Sequence, residues 1–431
     1  MNYKETINYL ENLQHGKIRP EIESVKNVFD ELGNPQNSFK SIHIAGTNGK
    51  GSTAVMIDSI LRDAGYSTGL YISPHILDFT ERIKINNNPI KKTEVVGYVK
   101  RLKSYFEKYN STYFESATII CFLYFCEKNI DIAIVETGMG GRFDATNVIN
   151  PVISIITDIG VEHQKFLGNT ISEIASEKGG IIKKGKECIV SATQTEAVKT
   201  LKNIAKNRNS KYYQVYRHSK VKLKSMNLSG IKFDYQQKGL FLKNLFIPLT
   251  GLHQLKNART AIFTINRLKN NGFSIKDENI INGLKNARFN GRFEKVNNNP
   301  LIIADVGHNP DCFNVIKQTI KILFPSKKIY LLFGVKNDKD YITMIKILKP
   351  ICQEIVGIKL NNHNTLDPKE LIGITKRIKI KYNYFDTGKD GLDFLIRKVD
   401  KDDIILSTGS HLTVSEIKSN FLQTKKIKLC S

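Results

Sequence analysis

The chain has 431 residues, 41% of them hydrophobic, with 65 Lys and Arg against 41 Asp and Glu and a formal net charge of +24. That length implies two or three domains, and no apolar run reaches the roughly 20 residues that a membrane-spanning helix requires. The six cysteines form no CxxC pair and no cluster at zinc-ligand spacing, which speaks against a zinc module and suits free thiols in a reducing compartment.

Tyr3 to Leu13 and Glu21 to Leu32 read as amphipathic helices. The start, Met1-Asn2-Tyr3-Lys4-Glu5, has no apolar signal region, so the protein reads as cytoplasmic. Phe39 to Ala45 is a short apolar strand. A glycine-rich turn follows, then a helix from Ser52 to Ala64 that Gly65 stops, then a strand from Ser67 to Ile72. This βαβ unit predicts a parallel sheet with helices on its faces. Ala117 to Cys126 fits a buried core helix. Ile130 to Val135 and Pro151 to Thr157 are β-branched runs that end at Glu136 and near Asp158. Residues 211–247 alternate short apolar pieces with polar breaks, a more β-rich excursion, and Gly251 to Asn270 is helical. A second α/β series opens at Leu301 to Asp305 and continues at Lys328 to Phe333 and Asp403 to Ser407. The polar stretch Asn286 to Asn299 puts the domain boundary near residue 288. Residues 1–287 read as an N-terminal P-loop parallel-sheet ATPase domain, and 288–431 as a smaller Rossmann-like α/β domain.

Gly46-Thr47-Asn48-Gly49-Lys50-Gly51-Ser52 joins the first strand to its helix. Such a turn presents backbone N–H groups to an anion. Lys50 can reach the β- and γ-phosphates of a nucleotide, and the Ser52 hydroxyl can serve Mg²⁺. The spacing departs from GxxxxGK[ST]: the first glycine is closer, and Gly51 precedes Ser52. Glu136, at the end of an apolar strand, falls on the edge where open α/β sheets bind ligands, and can hold Mg²⁺ directly or through water. Alone, it could equally cap the next turn. His163 follows Asp158 and Glu162 after the next strand, in the same position, although a lone His is more often structural. Lys178, in Glu177-Lys178-Gly179-Gly180, has no physical mark that singles it out. Asp305, in Asp305-Val306-Gly307-His308-Asn309-Pro310, again follows a strand; it can bond a ribose hydroxyl or open an Asx turn before Pro310.

Further segments join these in a fixed order: Tyr9 to Leu13, Gly46 to Ser52, Ser73-Pro74-His75, Thr80 to Ile83, Thr112 to Glu115, Gly140 to Asn147, Glu177 to Ile181, His253-Gln254 with Asn257-Ala258, Gly291 to Glu294, Asp305 to Pro310, and Gly409-Ser410 with Thr413-Val414. The ordered set resembles the folylpolyglutamate synthase and dihydrofolate synthase family of the Mur ligase superfamily, over nearly the whole chain. The resemblance implies ATP-dependent ligation of L-glutamate to dihydropteroate, to tetrahydrofolate polyglutamates, or to both, through an acyl phosphate. Thr112 to Glu115 resembles the segment of enzymes that take dihydropteroate, which favours the bifunctional form. ATP is expected at Thr47, Asn48, Gly49, Lys50, Gly51 and Ser52, with Asn257 on the adenine, Arg292 on the phosphates and Asp305 on the ribose, and His308 among the further ATP contacts. Two Mg²⁺ sites are implied, with Ser52, Ser73, Glu136 and His163 as ligands. Lys178 matches the lysine that the family carbamylates with CO₂, which makes it a further ligand. Lys50, His163, Lys178 and Arg292 form the implied catalytic set. Pro20, Glu21, Ile22, Thr112, Tyr113, Phe114, Glu115 and Phe143 are the implied pterin or folate contacts.

The chain has Glu162-His163 where Asp-His is usual, Gly179 where Ala is common, Val306-Gly307 where Gly-Ala is common, and no Leu-Gly-Leu-like run near Pro20. The partners implied are small molecules, with no nucleic acid, no membrane and a monomeric state. The competing reading is another P-loop ATPase that binds nucleic acid through its basic surface. Against it, the lysines are spread along the chain instead of forming a patch. A peptidoglycan Mur ligase would place a further domain of roughly 100 residues ahead of the turn.

Overall fold

The apolar run ahead of the glycine-rich turn becomes β1 (Lys40–Ala45), buried at every position after its first. A strand buried on both faces belongs in the middle of a covered parallel sheet, and that is its place. The computed structural model describes residues 1–13, 21–361 and 364–430, with 422–430 by backbone alone. Pro20, expected among the pterin contacts, lies outside the described residues.

The first sheet contains β1, β2 (Thr68–Tyr71), β3 (Ile83–Ile85), β4 (Asn88–Pro89), β5 (Ile132–Glu136), β6 (Ile153–Ile156), β7 (Glu187–Val190) and β8 (Lys211–Gln214), in the order β4-β3-β2-β5-β1-β6-β7-β8. From β2 to β8 across the sheet all neighbours are parallel. The remaining pairs, β2 with β3 and β3 with β4, are antiparallel, and β3–β4 is an edge hairpin. Its two-residue turn, Asn86-Asn87, has φ of 49° and 65°. Two positive φ values match the twist of a tight hairpin, and Asn tolerates them. Against one region of this sheet packs the helix Tyr113–Glu127, buried from Glu115 to Phe125. Phe122 meets Phe29, Phe39 and Tyr71 with ring centroids 5.9 to 6.3 Å apart. Each ring contributes about 2–3 kcal/mol by burial, which holds the helix against the sheet.

Residues 219–247 form a three-stranded sheet, β9 (Ser219–Asn227), β10 (Gly230–Gln237) and β11 (Leu240–Ile247), in the order β11-β10-β9. The last sheet contains β12 (Glu294–Asn298), β13 (Leu301–Ala304), β14 (Ile329–Phe333), β15 (Cys352–Ile358), β16 (Lys381–Phe385) and β17 (Ile404–Thr408), ordered β12-β13-β17-β14-β15-β16. All its pairs are parallel except β12 with β13. The chain divides into two units. One contains Met1–Lys222, Phe233–Phe246 and Gln254–Ala287; the other contains Leu223–Lys232, Ile247–His253 and Arg288–Ser431. A cut near residue 288 is thus one of several crossings, because two short pieces of the β-rich excursion belong with the second unit. Among the described residues, no helix is long and apolar enough to cross a membrane.

Candidate active site

In the sheet register Ile44 pairs with Glu136, Ala45 with Ile156, and Tyr71 with Val135. The segments that begin at Gly46, Ile72, Thr137 and Thr157 therefore leave the sheet along one edge. The chain moves from β1 to β2 on one side and later to β6 on the other, so the turn after β1 sits at a topological switch point, where open α/β sheets bind ligands.

Two glycines make that turn possible. A Cβ on Gly46 would lie 1.9 Å from Thr157 Oγ1. Gly49 has φ +87°, and a Cβ there would lie 2.4 Å from Asn257 Oδ1. Gly49 turns the chain directly into the helix Lys50–Asp63, which starts two residues before the expected Ser52. Thr47 pins the turn: its N–H donates to the Asp158 carbonyl at 2.7 Å, and its hydroxyl donates to the Gly160 carbonyl at 3.1 Å and accepts the Gly160 N–H at 2.9 Å. The first helical bond runs from Thr53 N–H to the Gly49 carbonyl at 3.0 Å, and no side chain caps the helix. The N–H groups of Lys50, Gly51 and Ser52 therefore have no helical acceptor and suit an anion. Asn257, expected at the adenine, is buried beside Gly49 and donates to Gln254 Oε1 at 3.0 Å.

The charged groups gather on the same turn. Lys50 Nζ donates to the carbonyls of Gly46 at 2.9 Å and Thr47 at 3.3 Å, and lies 4.0 Å from Glu136 Oε1. Glu136 Oε2 accepts the Ser73 N–H at 3.3 Å. Lys178 ends the helix Ile171–Lys178 and is only 1% exposed. Its Nζ donates to the Gly46 carbonyl at 3.0 Å and to Glu162 Oε1 at 2.6 Å. Burial pulls the Lys178 ammonium down to about 8, against the opposing pull of Glu162. Burial also acts to raise Glu162, but the charges of Lys178 and Lys50 outweigh it and hold that carboxyl at about 2. Glu162 is the residue that sequence reasoning passed over. Only its neighbour His163 was singled out, and His163 is half-buried in a left-handed conformation, φ 46°, at the start of the short helix Gln164–Leu167.

The hard oxygen donors at hand are the Glu136 carboxylate and the hydroxyls of Ser52 and Ser73. They fit Mg²⁺, which takes one or two protein carboxylates and completes its shell with phosphate and water. Lys178 as an ammonium has no lone pair to offer. Among the described residues, no three His, Cys, Asp or Glu side chains cluster as a metal site.

The Lys178 turn is held from its far side. Arg142 N–H donates to the Glu177 carbonyl at 2.8 Å. Asn147 Nδ2 donates to the Arg142 carbonyl at 2.9 Å, Lys183 Nζ to the Asn147 carbonyl at 2.8 Å, and Arg208 Nη1 to the Gly180 carbonyl at 3.0 Å. A Cβ on Gly180 would lie 2.3 Å from Arg142 Cα, whereas one on Gly179 would meet only the side-chain ends of Ile204 and Leu201, at 2.7 and 3.1 Å. Gly180→Ala is therefore expected to destabilise by about 3 kcal/mol, since backbone must move, and Gly179→Ala by about 1 kcal/mol or less. Thermal melts of the two variants check this; equal losses would contradict it.

The expected acceptor contacts are more mixed. Thr112 and Glu115 form a capping box at the start of Tyr113–Glu127: Thr112 N–H donates to Glu115 Oε2 at 2.6 Å, and Glu115 N–H to Thr112 Oγ1 at 3.4 Å. Their polar atoms hold the helix end. Tyr113 lies edge-on to Phe79, with the Arg82 guanidinium 5.3 Å from its ring. Phe114 stacks on Tyr71 at 6.0 Å. Phe143 is exposed, Glu21 is exposed, and Ile22 is half-buried.

Arg292, Asp305 and His308 lie in the second unit, after β13 and before it. Asp305 Oδ2 accepts the Phe293 N–H at 2.8 Å and Oδ1 the Gly307 N–H at 2.7 Å, the second of which closes an Asx turn over residues 305–307. Burial raises its pKa, with Arg292 opposing. The Arg292 guanidinium lies 4.9 Å from the Phe289 ring, and its Nε has no hydrogen-bond partner. His308 Nδ1 lies 3.0 Å from the Val306 carbonyl.

Comparison with known proteins gives the same direction. The family model for the Mur ligase middle domain matches residues 44–265, and that for the Mur ligase glutamate ligase domain matches residues 291–411. The dihydrofolate synthase/folylpolyglutamate synthase of Bacillus subtilis is 34% identical over 416 residues, covering 94% of this chain and 96% of that protein. The crystal structure of folylpolyglutamate synthase from Thermotoga maritima is 32% identical with a TM-score of 0.85, covering 98% of this chain and 97% of that one. The E. coli FolC structure in complex with DHPP and ADP is 26% identical with a TM-score of 0.90, covering 99% of each chain. With family, chain-length coverage and fold in agreement, the chain belongs to the dihydrofolate synthase/folylpolyglutamate synthase family of the Mur ligase superfamily.

Proposed function

We propose that the protein uses ATP to join L-glutamate to the carboxylate of a folate-type acceptor: dihydropteroate, tetrahydrofolate polyglutamates, or both. The observation that carries this reading is the convergence of Lys50, Glu136, Glu162 and Lys178 on the turn from Gly46 to Ser52. The Bacillus subtilis relative is named for both activities, and the E. coli relative holds DHPP and ADP.

The phosphates of ATP lie against Thr47, Asn48, Gly49, Gly51 and Ser52, and Lys50 exchanges its bonds to the Gly46 and Thr47 carbonyls for them. Asn257 contacts the adenine and Asp305 the ribose, with His308 among the further ATP contacts. The acceptor carboxylate attacks the γ-phosphorus, ADP leaves, and an acyl phosphate forms. The glutamate amine then attacks the acyl carbon, and phosphate departs as the amide closes. Such a transfer depends mainly on positioning and charge neutralisation, which fall to Lys50 and Arg292. Ser52, Ser73, Glu136 and His163 are the residues that hold two Mg²⁺ ions, which when bound neutralise phosphate charge. Lys178 is carbamylated in the active enzyme. Glu21, Ile22, Thr112, Tyr113, Phe114, Glu115 and Phe143 line the acceptor site.

Residues 1–287 act as the ATP-binding domain and 288–431 as the glutamate-ligase domain of a cytoplasmic monomer that works on small molecules alone. A nucleic-acid-binding ATPase would show a steep salt dependence of oligonucleotide affinity; none is expected here. The direct test is phosphate release from ATP with glutamate, comparing dihydropteroate with tetrahydrofolate as acceptor. Release should require an acceptor, and its absence with both would refute the reading.

A further inference from the structure

The central strand carries a histidine that the reaction scheme leaves without a role. His43 is fully buried on β1 and pairs in register with Val135 of β5. Its Nε2 lies 2.8 Å from Thr146 Oγ1, and among the described residues its Nδ1 has no hydrogen-bond partner. Counting protons sets the direction of this contact. Thr146 has one hydroxyl proton, and it goes to Asp144 Oδ1 at 2.5 Å. Thr146 Oγ1 can then only accept from the ring, so the His43 proton sits on Nε2 and Nδ1 is the bare nitrogen. Burial, and then the Lys183 ammonium, hold the ring neutral, in accord with a single ring proton.

Asp144 is buried as well, and it closes a loop. Its Oδ2 accepts the Met139 N–H at 2.9 Å and its Oδ1 the Thr146 N–H at 3.0 Å. Residues 139–146 are thereby tied end to end, and Arg142 and Phe143 are left exposed at the middle of the loop. A buried carboxylate bonded to two N–H groups and one hydroxyl has little freedom as long as that hydroxyl keeps its rotamer. The His43 N–H is what holds the hydroxyl oxygen from the other side.

We propose that His43 is a positioning residue for the acceptor site: through Thr146 it fixes the Asp144 carboxylate, and with it the loop that presents Phe143 to the aromatic end of the acceptor. The proposal rests on the assignment of Phe143 to that site. His43 touches neither substrate nor reacting atoms. Its effect therefore falls on acceptor binding and spares ATP binding.

The test compares four single variants of the full-length enzyme. His43→Gln places an amide N–H near the position of Nε2, and His43→Leu removes it at similar size. Thr146→Ser keeps the hydroxyl, and Thr146→Val replaces it with a methyl group. Michaelis constants for dihydropteroate and for ATP are measured with melting temperatures. In H43L and T146V the acceptor KM is expected to rise about five- to ten-fold, the scale of one hydrogen bond, with the ATP KM changed by less than about two-fold. In H43Q and T146S the acceptor KM returns to within about two-fold of the parent, and combining H43L with T146V adds nothing to T146V alone, because both break one chain. T146V carries the same expectation if the larger change at His43 impairs folding. An unchanged acceptor KM in T146V overturns the proposal. So does a parallel rise in both KM values that the Gln and Ser variants share, which is the mark of a purely structural role. The parent enzyme's acceptor-dependent phosphate release tests the ligase reading separately, so the two can fail independently.

Discussion

Lys50→Ala is expected to reduce phosphate release from ATP by about three orders of magnitude or more, with little change in melting temperature. The size follows from what a single preorganised cation contributes to phosphoryl transfer, where charge neutralisation is most of the catalysis. The small stability effect follows from the geometry. Among the described residues, Lys50 Nζ donates to the carbonyls of Gly46 and Thr47, four and three residues back, and stands 4.0 Å from Glu136. The Gly46 carbonyl keeps its second donor, Lys178, at 3.0 Å. The loss is two local hydrogen bonds, one of them long and the other to a carbonyl that keeps a donor, together about 1–2 kcal/mol. Lys50→Arg is expected to restore little, because a planar guanidinium cannot replace a compact point charge inside so tight a turn. Phosphate-release assays beside thermal melts decide the matter, and near-normal turnover in the alanine variant would end the proposal for this site.

The turn was legible in the sequence because all its determinants are contiguous: an apolar strand, two glycines that nothing else can replace, and a helix start. Glu136 was legible because strand ends fall on one edge once the sheet is parallel. Lys178 was not. Its helix, Ile171–Lys178, reads as an ordinary surface helix, and beyond it Gly180 lets the following turn press against Arg142. That contact joins residues far apart in sequence, so no local pattern announces it. Glu162 was missed for a related reason. Histidine draws attention by its chemistry, yet the neighbouring carboxylate is the group that reaches Lys178. The strand β16, Lys-Tyr-Asn-Tyr-Phe, was overlooked because a half-exposed edge strand carries little apolar signal. The hairpin β3–β4 offered only its Asn86-Asn87 turn. The nucleic-acid alternative was drawn from the +24 charge alone and finds no support among the relatives, which are folate ligases by name.

The Lys178–Glu162 pair yields the second large effect, and it is asymmetric. Glu162→Gln is expected to destabilise by about 3–5 kcal/mol, because it strands an ammonium that is 1% exposed without a counter-charge. Lys178→Met removes that buried charge and leaves Glu162, at 13% exposure, with access to water, so about 1–2 kcal/mol or less is expected. The pH dependence has a definite sign. The folded Glu162 carboxyl titrates at about 2, below its ordinary 4.5, so its contribution is complete above 4.5 and is lost as pH falls from there toward 2. Acid melts of the parent should show this loss, and those of E162Q should lack its Glu162 component. Both K178M and K178R are expected to lose turnover, since only a primary amine can add CO₂ to form a carbamate. A carbamate on Lys178 would set negative charge where Glu162 now meets positive charge, so the ion pair and the carbamate exclude each other. Carbamylation is therefore expected only when a divalent cation offsets the two carboxylate-like groups. Intact-mass spectra taken with bicarbonate and Mg²⁺ should show one added CO₂, and chelation should remove it. An enzyme that turns over without that increment, or as K178M, would eliminate the carbamate while leaving the phosphate turn and its Lys50 in place.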